Sequence, residues 1–154
     1  MTLDDLDWKL LTFLQKDCRI SNADLADAAG LSASSCWRRV RALEEAGLIQ
    51  RYAAVLDPAR AGMGFQAMVH VQLTRHDPEK LAEFIRVIED RPEVVECFAT
   101  TGQADYHVRV IVRDLEAYNQ FLEDVLFRLP AVASAQTNVI LRSVKANKGI
   151  FQRR

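Results

Sequence analysis

Five residues within one short stretch carry the most legible chemistry in this chain: Ser34, Ser35, Arg38, Arg39 and Arg41. A guanidinium forks to a phosphate or to the O6/N7 edge of guanine, and a serine hydroxyl bonds either kind of acceptor. At about 100° per residue, a helix through this stretch puts Ser34, Arg38 and Arg41 on one side, with Ser35 and Arg39 on a flank. Cys36, Val40 and Leu43 then fall at i, i+4, i+7 on the buried side, with Trp37 beside them. Three arginines on an exposed helix are ordinarily just solvated charge. The residues before them decide otherwise.

Leu6, Leu10, Phe13 and Leu14 repeat at helical spacing, and Thr2-x-x-Asp5 offers a capping-box start. Ser21 to Asp24 repeats the start signal for a short helix through Leu25, Ala28 and Ala29, which Gly30 closes. Ser32 caps a third helix that runs to Ala46, and Gly47 ends it. A short helix, a glycine turn and an arginine-bearing helix are the parts of a helix-turn-helix. Its second helix enters the major groove of duplex DNA N-terminal end first. Residues 1–50 hold six Lys/Arg against eight Asp/Glu, so a single copy neutralises few phosphates and two copies bind better.

The whole chain sets the limits. It has 154 residues, 49% hydrophobic and 27% charged, with 20 Lys/Arg against 21 Asp/Glu and a net charge of −1. That excludes coating of nucleic acid or anionic lipid by bulk positive charge, and it argues against disorder. No apolar run reaches the roughly 18 residues of a membrane span, and the acidic start Asp4-Asp5-x-Asp7 is unlike a secretory signal. The expected setting is therefore the cytoplasm, without a membrane partner. The three cysteines, Cys18, Cys36 and Cys97, are widely spaced and read as buried free thiols.

Leu48 to Leu56 reads as a strand, ended by Asp57-Pro58, and Ala59 to Gly64 as a hinge. Beyond it the chain alternates strand and helix. Val69, Val71 and Leu73 alternate along a first strand, and Asp77-Pro78-Glu79 starts a helix with Leu81, Phe84, Ile85 and Ile88 on its core side. Val94 to Thr100 and Tyr106 to Val112 form a strand pair. Leu115, Tyr118, Phe121, Leu122 and Val125 mark a second helix, and a last strand passes through Val139 and Leu141. Arg75, Phe84 and Pro92 recur as Arg113, Phe121 and Pro130, so two βαβ halves follow one another. That is the split, ferredoxin-like α+β sandwich, with both helices on one sheet face. The other face would show His70, Gln72, Phe98, Arg109 and Ile111, a mixture suited to packing on a second copy with two-fold symmetry.

The resulting divisions are 1–50 for the helix-turn-helix, 51–64 for a strand linker, 65–145 for the βαββαβ domain and 146–154 for a basic tail. That tail, with no acid from Arg142 onward, reads as a frayed terminus. His70, His76, His107 and Cys97 repeat no ligand spacing, so no metal is expected. No catalytic triad, phosphate loop or paired carboxylates appear, so no catalytic residue and no enzyme activity is expected.

Leu31-Ser32 followed by Cys36-Trp37-Arg38-Arg39-Val40-Arg41-x-Leu43-Glu44, a strand linker, and a βαββαβ domain carrying Thr100-Thr101-Gly102-x-x-Asp105-Tyr106 together resemble the Lrp/AsnC, or feast/famine, family. The resemblance spans essentially the whole chain. It implies a winged-type helix-turn-helix followed by a RAM/ACT-like domain, in a bacterial or archaeal, nucleoid-associated regulator of amino-acid metabolism or transport. It carries DNA contact onto Ser34, Ser35, Arg38, Arg39 and Arg41. It carries effector binding onto Thr101, Gly102, Gln103, Ala104 and Asp105, flanked by Ala99 and Tyr106, with Thr137 as a further candidate. The implied partners are a pseudo-palindromic duplex operator, further copies of the chain as homodimers that build tetramers, octamers or more, and an amino acid or related effector held between subunits, with no other cofactor. The alternative is an amino-acid-binding metabolic module or enzyme without a DNA role.

Overall fold

The computed structural model describes residues 2–74, 77–145 and 149–150. These fall into two compact units, Met1–Val55 with Lys145–Arg154, and Leu56–Val144. The division lies inside the expected 51–64 connector.

The first unit holds three helices, α1 (Asp5–Lys16), α2 (Asn22–Ala29) and α3 (Ala33–Glu45). Leu10, Leu25, Ala26, Ala29 and Cys36 close its core, with Phe13, Leu14, Ile20, Leu31 and Val40 packed around them. The caps of α2 and α3 are local, and they sit where residue type demands. Ser21 accepts from Asp24 N–H, Ser32 accepts from Ser35 N–H, and Gly30 turns the chain at φ 74° between the two helices. The capping box of α1 is Asp4-x-x-Asp7 rather than Thr2-x-x-Asp5. Each aspartate side chain accepts from the other's backbone N–H.

Leu48 to Leu56 is not a strand. Among the described residues it has no ladder partner, and Val55 and Leu56 stand in solvent. Side chains of high β propensity do not make a strand without a neighbour to pair with. Of the tail, Ile150 is tied to Gln15 of α1, donating its N–H to Oε1 (2.6 Å) and accepting from Nε2 (2.8 Å), so this residue is not frayed. The remainder of 146–154, apart from Gly149, lies outside the described residues.

The second unit is one antiparallel sheet with two helices on one face. Its elements are β1 (Phe65–Leu73), α4 (Pro78–Asp90), β2 (Val94–Ala99), β3 (Tyr106–Val112), α5 (Leu115–Asp124), a 3₁₀ turn at Leu126–Arg128 and β4 (Val132–Val139). The strand order β2-β3-β1-β4 is the expected split βαβ topology. Ala67, Val69, Val71, Val108, Val110 and Val112 line the covered face against Phe84, Ile88, Tyr118 and Phe121. Phe84 and Phe121, equivalent in the internal repeat, are both buried. On α4 the core side is Phe84, Val87 and Ile88. Leu81 and Ile85 lie toward the exposed edge, as does Leu115 on α5. Among the thiols only Cys36 is buried. Cys18 lies just past α1 and Cys97 on the edge strand β2, where little covers them.

Candidate DNA interface and effector loop

Register and capping decide what each expected residue can reach. On α3, Ser34 is exposed, with its Oγ 3.3 Å from Ser32 Oγ, so the helix N-terminus ends in two neighbouring hydroxyls. Ser35 is half-buried and gives its N–H to the Ser32 cap. Arg38 is exposed and makes no ion pair among the described residues. Arg41, also exposed, folds back on Glu44 (3.5 Å) and Glu45 (3.3 Å). Such solvated pairs hold an arginine by roughly 0.3–0.5 kcal/mol, weakly enough for a phosphate to displace them.

Arg39 does not face outward with them. Its Nη1 donates to Asp7 Oδ1 (2.7 Å) and Asp4 Oδ2 (2.9 Å), so it clamps the capping box of α1. The hydrogen bonds it donates to Asp7 and Asp4 hold the guanidinium more firmly protonated than usual. The Asp4 carboxyl is in turn held below its ordinary value, first by the Asp7 backbone N–H, with Arg39 adding to that against the opposing effect of burial. The family resemblance carries DNA contact onto Arg39 and helical phase puts it on a flank, but neither says anything of partners across the fold. The sequence reading also left out Trp37, which is 58% exposed and lines a depression of about 460 Å³ with Arg38, Arg41, Ala42 and Glu45. Beside it, Tyr52 donates its hydroxyl to Glu44 (2.8 Å), and burial with that bond pushes the phenol to about 12.

In the second unit, β2 and β3 are joined by the turn at Thr101, Gly102 and Gln103. Gly102 sits at φ 126°, where a side chain is strained. Thr100 N–H donates to Asp105 O (2.9 Å) and Thr100 Oγ1 to Ala104 O (3.2 Å), which closes the loop. Asp105 then carries the β1–β3 ladder beyond its last residue pair. Its N–H donates to Val71 O (2.9 Å), and its Oδ2 accepts Leu73 N–H (2.7 Å). Two residues that the sequence reading did not assign to the loop support it from behind. Gln72 Nε2 donates to Gln103 O (2.7 Å), and Ser134 Oγ donates to Gln72 Oε1 (2.9 Å). Gln72 was legible only as a residue of the uncovered sheet face; Ser134 becomes legible only once β4 is in register opposite it.

The other three effector candidates lie on the helix-covered side of the sheet. Ala99 pairs with Tyr106, whose ring centroid is 5.0 Å from that of Phe84. Thr137 pairs opposite Val69, and its hydroxyl bonds the buried Tyr118 hydroxyl. Burial raises the Tyr118 phenol, and the Thr137 bond partly offsets that. Thr137 is thus engaged with α5 rather than brought to the loop.

On the uncovered face His70 and His107 are cross-strand partners with Nδ1 atoms 2.6 Å apart, and Asn138 reaches His70 Nε2 at 3.0 Å. Arg109 spans Glu96 and Gln66, each at 3.1 Å. Cys97 pairs with Val108 and so faces the opposite side from His107. No group of three or more metal-ligating side chains forms among the described residues, and His76 lies outside them.

Comparison with known proteins agrees with this layout. Residues 3–50 match the model of a winged helix-turn-helix DNA-binding domain, and residues 66–150 match that of the Lrp/AsnC ligand binding domain. The chain belongs to the Lrp/AsnC family. It is 44% identical to the Bkd operon transcriptional regulator of Pseudomonas aeruginosa, over 92% of this chain and 93% of that protein. To the leucine-responsive regulatory protein of Escherichia coli it is 38% identical, over 93% and 87% of the two chains. A Neisseria meningitidis transcriptional regulator crystallised with L-Met superposes with a TM-score of 0.90 at 35% identity, covering 94% of each chain. This Lrp/AsnC chain is a transcriptional regulator that joins a DNA-binding helix-turn-helix to a ligand-binding α+β domain. No helix among its described residues is long and apolar enough to cross a membrane.

Proposed function

We propose that this Lrp/AsnC regulator reads pseudo-palindromic duplex sites through α3, with Ser34, Ser35, Arg38 and Arg41 as the contacting residues, and answers an amino acid or close relative seated at the 101–105 loop. The observation that carries the DNA side is Arg38: an exposed guanidinium with no ion pair among the described residues, one turn along from the Ser34 hydroxyl. Ser34 and Arg38 meet base edges or phosphates at the groove floor, and Arg41 exchanges Glu44 and Glu45 for a phosphate. Arg39 braces α3 on α1 and makes no direct contact. The chain acts as a dimer built on the uncovered sheet face, where Phe98 is 53% exposed, and dimers assemble further. Two recognition helices then address half-sites one DNA turn apart.

The effector side rests on unsatisfied groups in the loop. The N–H groups of Thr101, Gly102 and Gln103 make no hydrogen bond among the described residues, and they suit an α-carboxylate. Asp105 gives one oxygen to Leu73 and keeps the other for an α-ammonium. Ala99 and Tyr106 bound the loop from the covered side, and Thr137 contributes through Tyr118 only. An effector held between subunits shifts assembly only by favouring one arrangement over another, and operator affinity shifts with it. The name of the leucine-responsive relative supports genes of amino-acid metabolism or transport as targets, and the proposed setting is the cytoplasm, on the nucleoid. No step of this reading is catalytic.

The test uses the full chain and duplexes selected by it from a random pool. At one stated salt concentration, Arg38→Ala is expected to lose binding at least tenfold in a gel-shift titration while elution volume stays that of wild type. Unchanged affinity would overturn the DNA reading. A thermal-shift panel of the common amino acids tests the effector, because selective binding to the folded state raises the midpoint. A flat panel would overturn that half.

A further inference from the structure

The recognition face contains one side chain that neither the fold nor the polar contacts explain. Trp37 is one of two tryptophans in the chain and is 58% exposed. The buried side of α3 is already filled by Cys36, Val40 and Leu43, so the indole serves no core. At about 100° per residue it stands 40° from Arg41, on the edge of the face that carries Ser34 and Arg38. Its Nε1–H makes no hydrogen bond among the described residues. Burying an aromatic of this size removes about 150–250 Å² from water, so leaving it exposed forfeits stability that a partner would recover. The residue lines both a small hollow of about 210 Å³ with Leu14, Val40 and Tyr52 and the depression shared with Arg38 and Arg41.

A major groove presents one apolar group on its base edges, the C5-methyl of thymine. An indole held beside Ser34 and Arg38 on a groove-facing helix meets such a methyl, where a longer polar side chain would not discriminate. We infer that Trp37 is a specificity-determining residue that reads thymine in each half-site by packing its indole on the C5-methyl. The inference rests on the reading that α3 enters the groove.

The experiment uses the full chain and a duplex selected by the wild-type protein from a random pool. Each thymine is replaced in turn by deoxyuridine, which removes only the methyl. Wild type is expected to lose about fourfold at one symmetry-related position in each half-site, the fold-change of one buried methyl-sized group. Trp37→Ala is expected to bind the thymine and deoxyuridine duplexes equally at that position, and Trp37→Phe to keep part of the preference. An identical deoxyuridine profile in wild type and Trp37→Ala overturns the inference. So does full affinity of Trp37→Ala for a duplex that Arg38→Ala no longer binds, and that result leaves the DNA reading standing. Failure of wild type to bind any duplex at low salt overturns both. In a Trp8→Phe background the remaining indole reports directly: its emission is expected to quench on duplex addition. Emission that does not move at saturating duplex overturns the contact without depending on any variant at position 37.

Discussion

Arg39→Gln tests whether this arginine is a strut or a DNA contact, and the geometry sets the size of the effect. One Nη1 serves Asp7 Oδ1 at 2.7 Å and Asp4 Oδ2 at 2.9 Å, while the remaining oxygens of both carboxylates hold the α1 capping box. The Asp7 side chain is 8% exposed and the Arg39 side chain 29%. A hydrogen bond to a charged group contributes roughly 1.5–3 kcal/mol, and breaking a fully buried pair costs about 3–5. Partial exposure of Arg39 puts the loss at about 2 kcal/mol, nearly all through Asp7, since exposed pairs such as that with Asp4 contribute little. For a unit of this size each kcal/mol moves the midpoint by about 4–8 °C, so a fall of roughly 8–16 °C is expected. Both tryptophans, Trp8 and Trp37, belong to the first unit, so their fluorescence follows its unfolding selectively. Arg38→Gln is expected to stay within about 0.5 kcal/mol of wild type, because it removes no internal contact. Asp7→Asn is expected to cost less in the Arg39→Gln background than alone. The pH dependence has a definite sign. The folded Asp4 carboxyl releases its proton more readily than the unfolded one, so its contribution is present above the ordinary carboxyl range and is lost as pH falls through the lower folded value. Because the Arg39→Gln deficit runs mainly through Asp7, the titration of Asp4 is expected to move it little. If Arg39→Gln unfolds with wild type and loses duplex binding as Arg38→Ala does, the strut assignment is wrong.

Three further outcomes follow from single contacts. Asp105→Ala leaves Leu73 N–H without its acceptor and is expected to cost about 1 kcal/mol in urea unfolding of the second unit; Asp105→Asn restores that stability but not the thermal shift given by an amino acid. Phe98→Asp on the uncovered face is expected to lower the assembly size in sedimentation velocity while leaving the far-ultraviolet spectrum intact, and an unchanged sedimentation coefficient would remove that face from the interface. Tyr52, pushed to about 12 by burial and its bond to Glu44, keeps its full contribution below the ordinary tyrosine value of about 10 and loses it as pH rises toward the folded value. Difference absorbance at 295 nm is expected to show this late titration, and Tyr52→Phe to lower its amplitude by one phenol while the raised Tyr118 phenol remains.

What the residues disclosed in advance was whatever depends on near neighbours. Ser21, Gly30 and Ser32 sit at their caps because the groups they satisfy lie within a few residues. The four strands and two helices of the second unit are legible in period-2 and period-3.6 patterns, and the split βαβ arrangement in the repeat of Arg75, Phe84 and Pro92 as Arg113, Phe121 and Pro130. Leu48 to Leu56 shows the boundary of that method. Its residues have strand character, yet a strand is a relation between two segments, and the described part of this chain supplies no second one.

The candidate site was legible where a side chain acts outward and illegible where it acts across the fold. Ser34 and Arg38 stand in solvent as helical phase requires. Arg39, one residue on, is taken by carboxylates 32 and 35 positions earlier, and no periodicity in the sequence carries that distance. Thr137 lies away from the loop for a related reason. Its place in β4 is fixed opposite Val69, so parity turns its hydroxyl under α5, whereas Ser134 lands on the other face beside Gln72 and the loop. Asp105 shows both cases at once. The motif marks it as an effector contact, and the structure uses one of its oxygens to carry the β1–β3 ladder past the turn. On the proposed effector reading, a ligand at the second oxygen would share the carboxylate that holds Leu73 at the end of a central strand of the sheet.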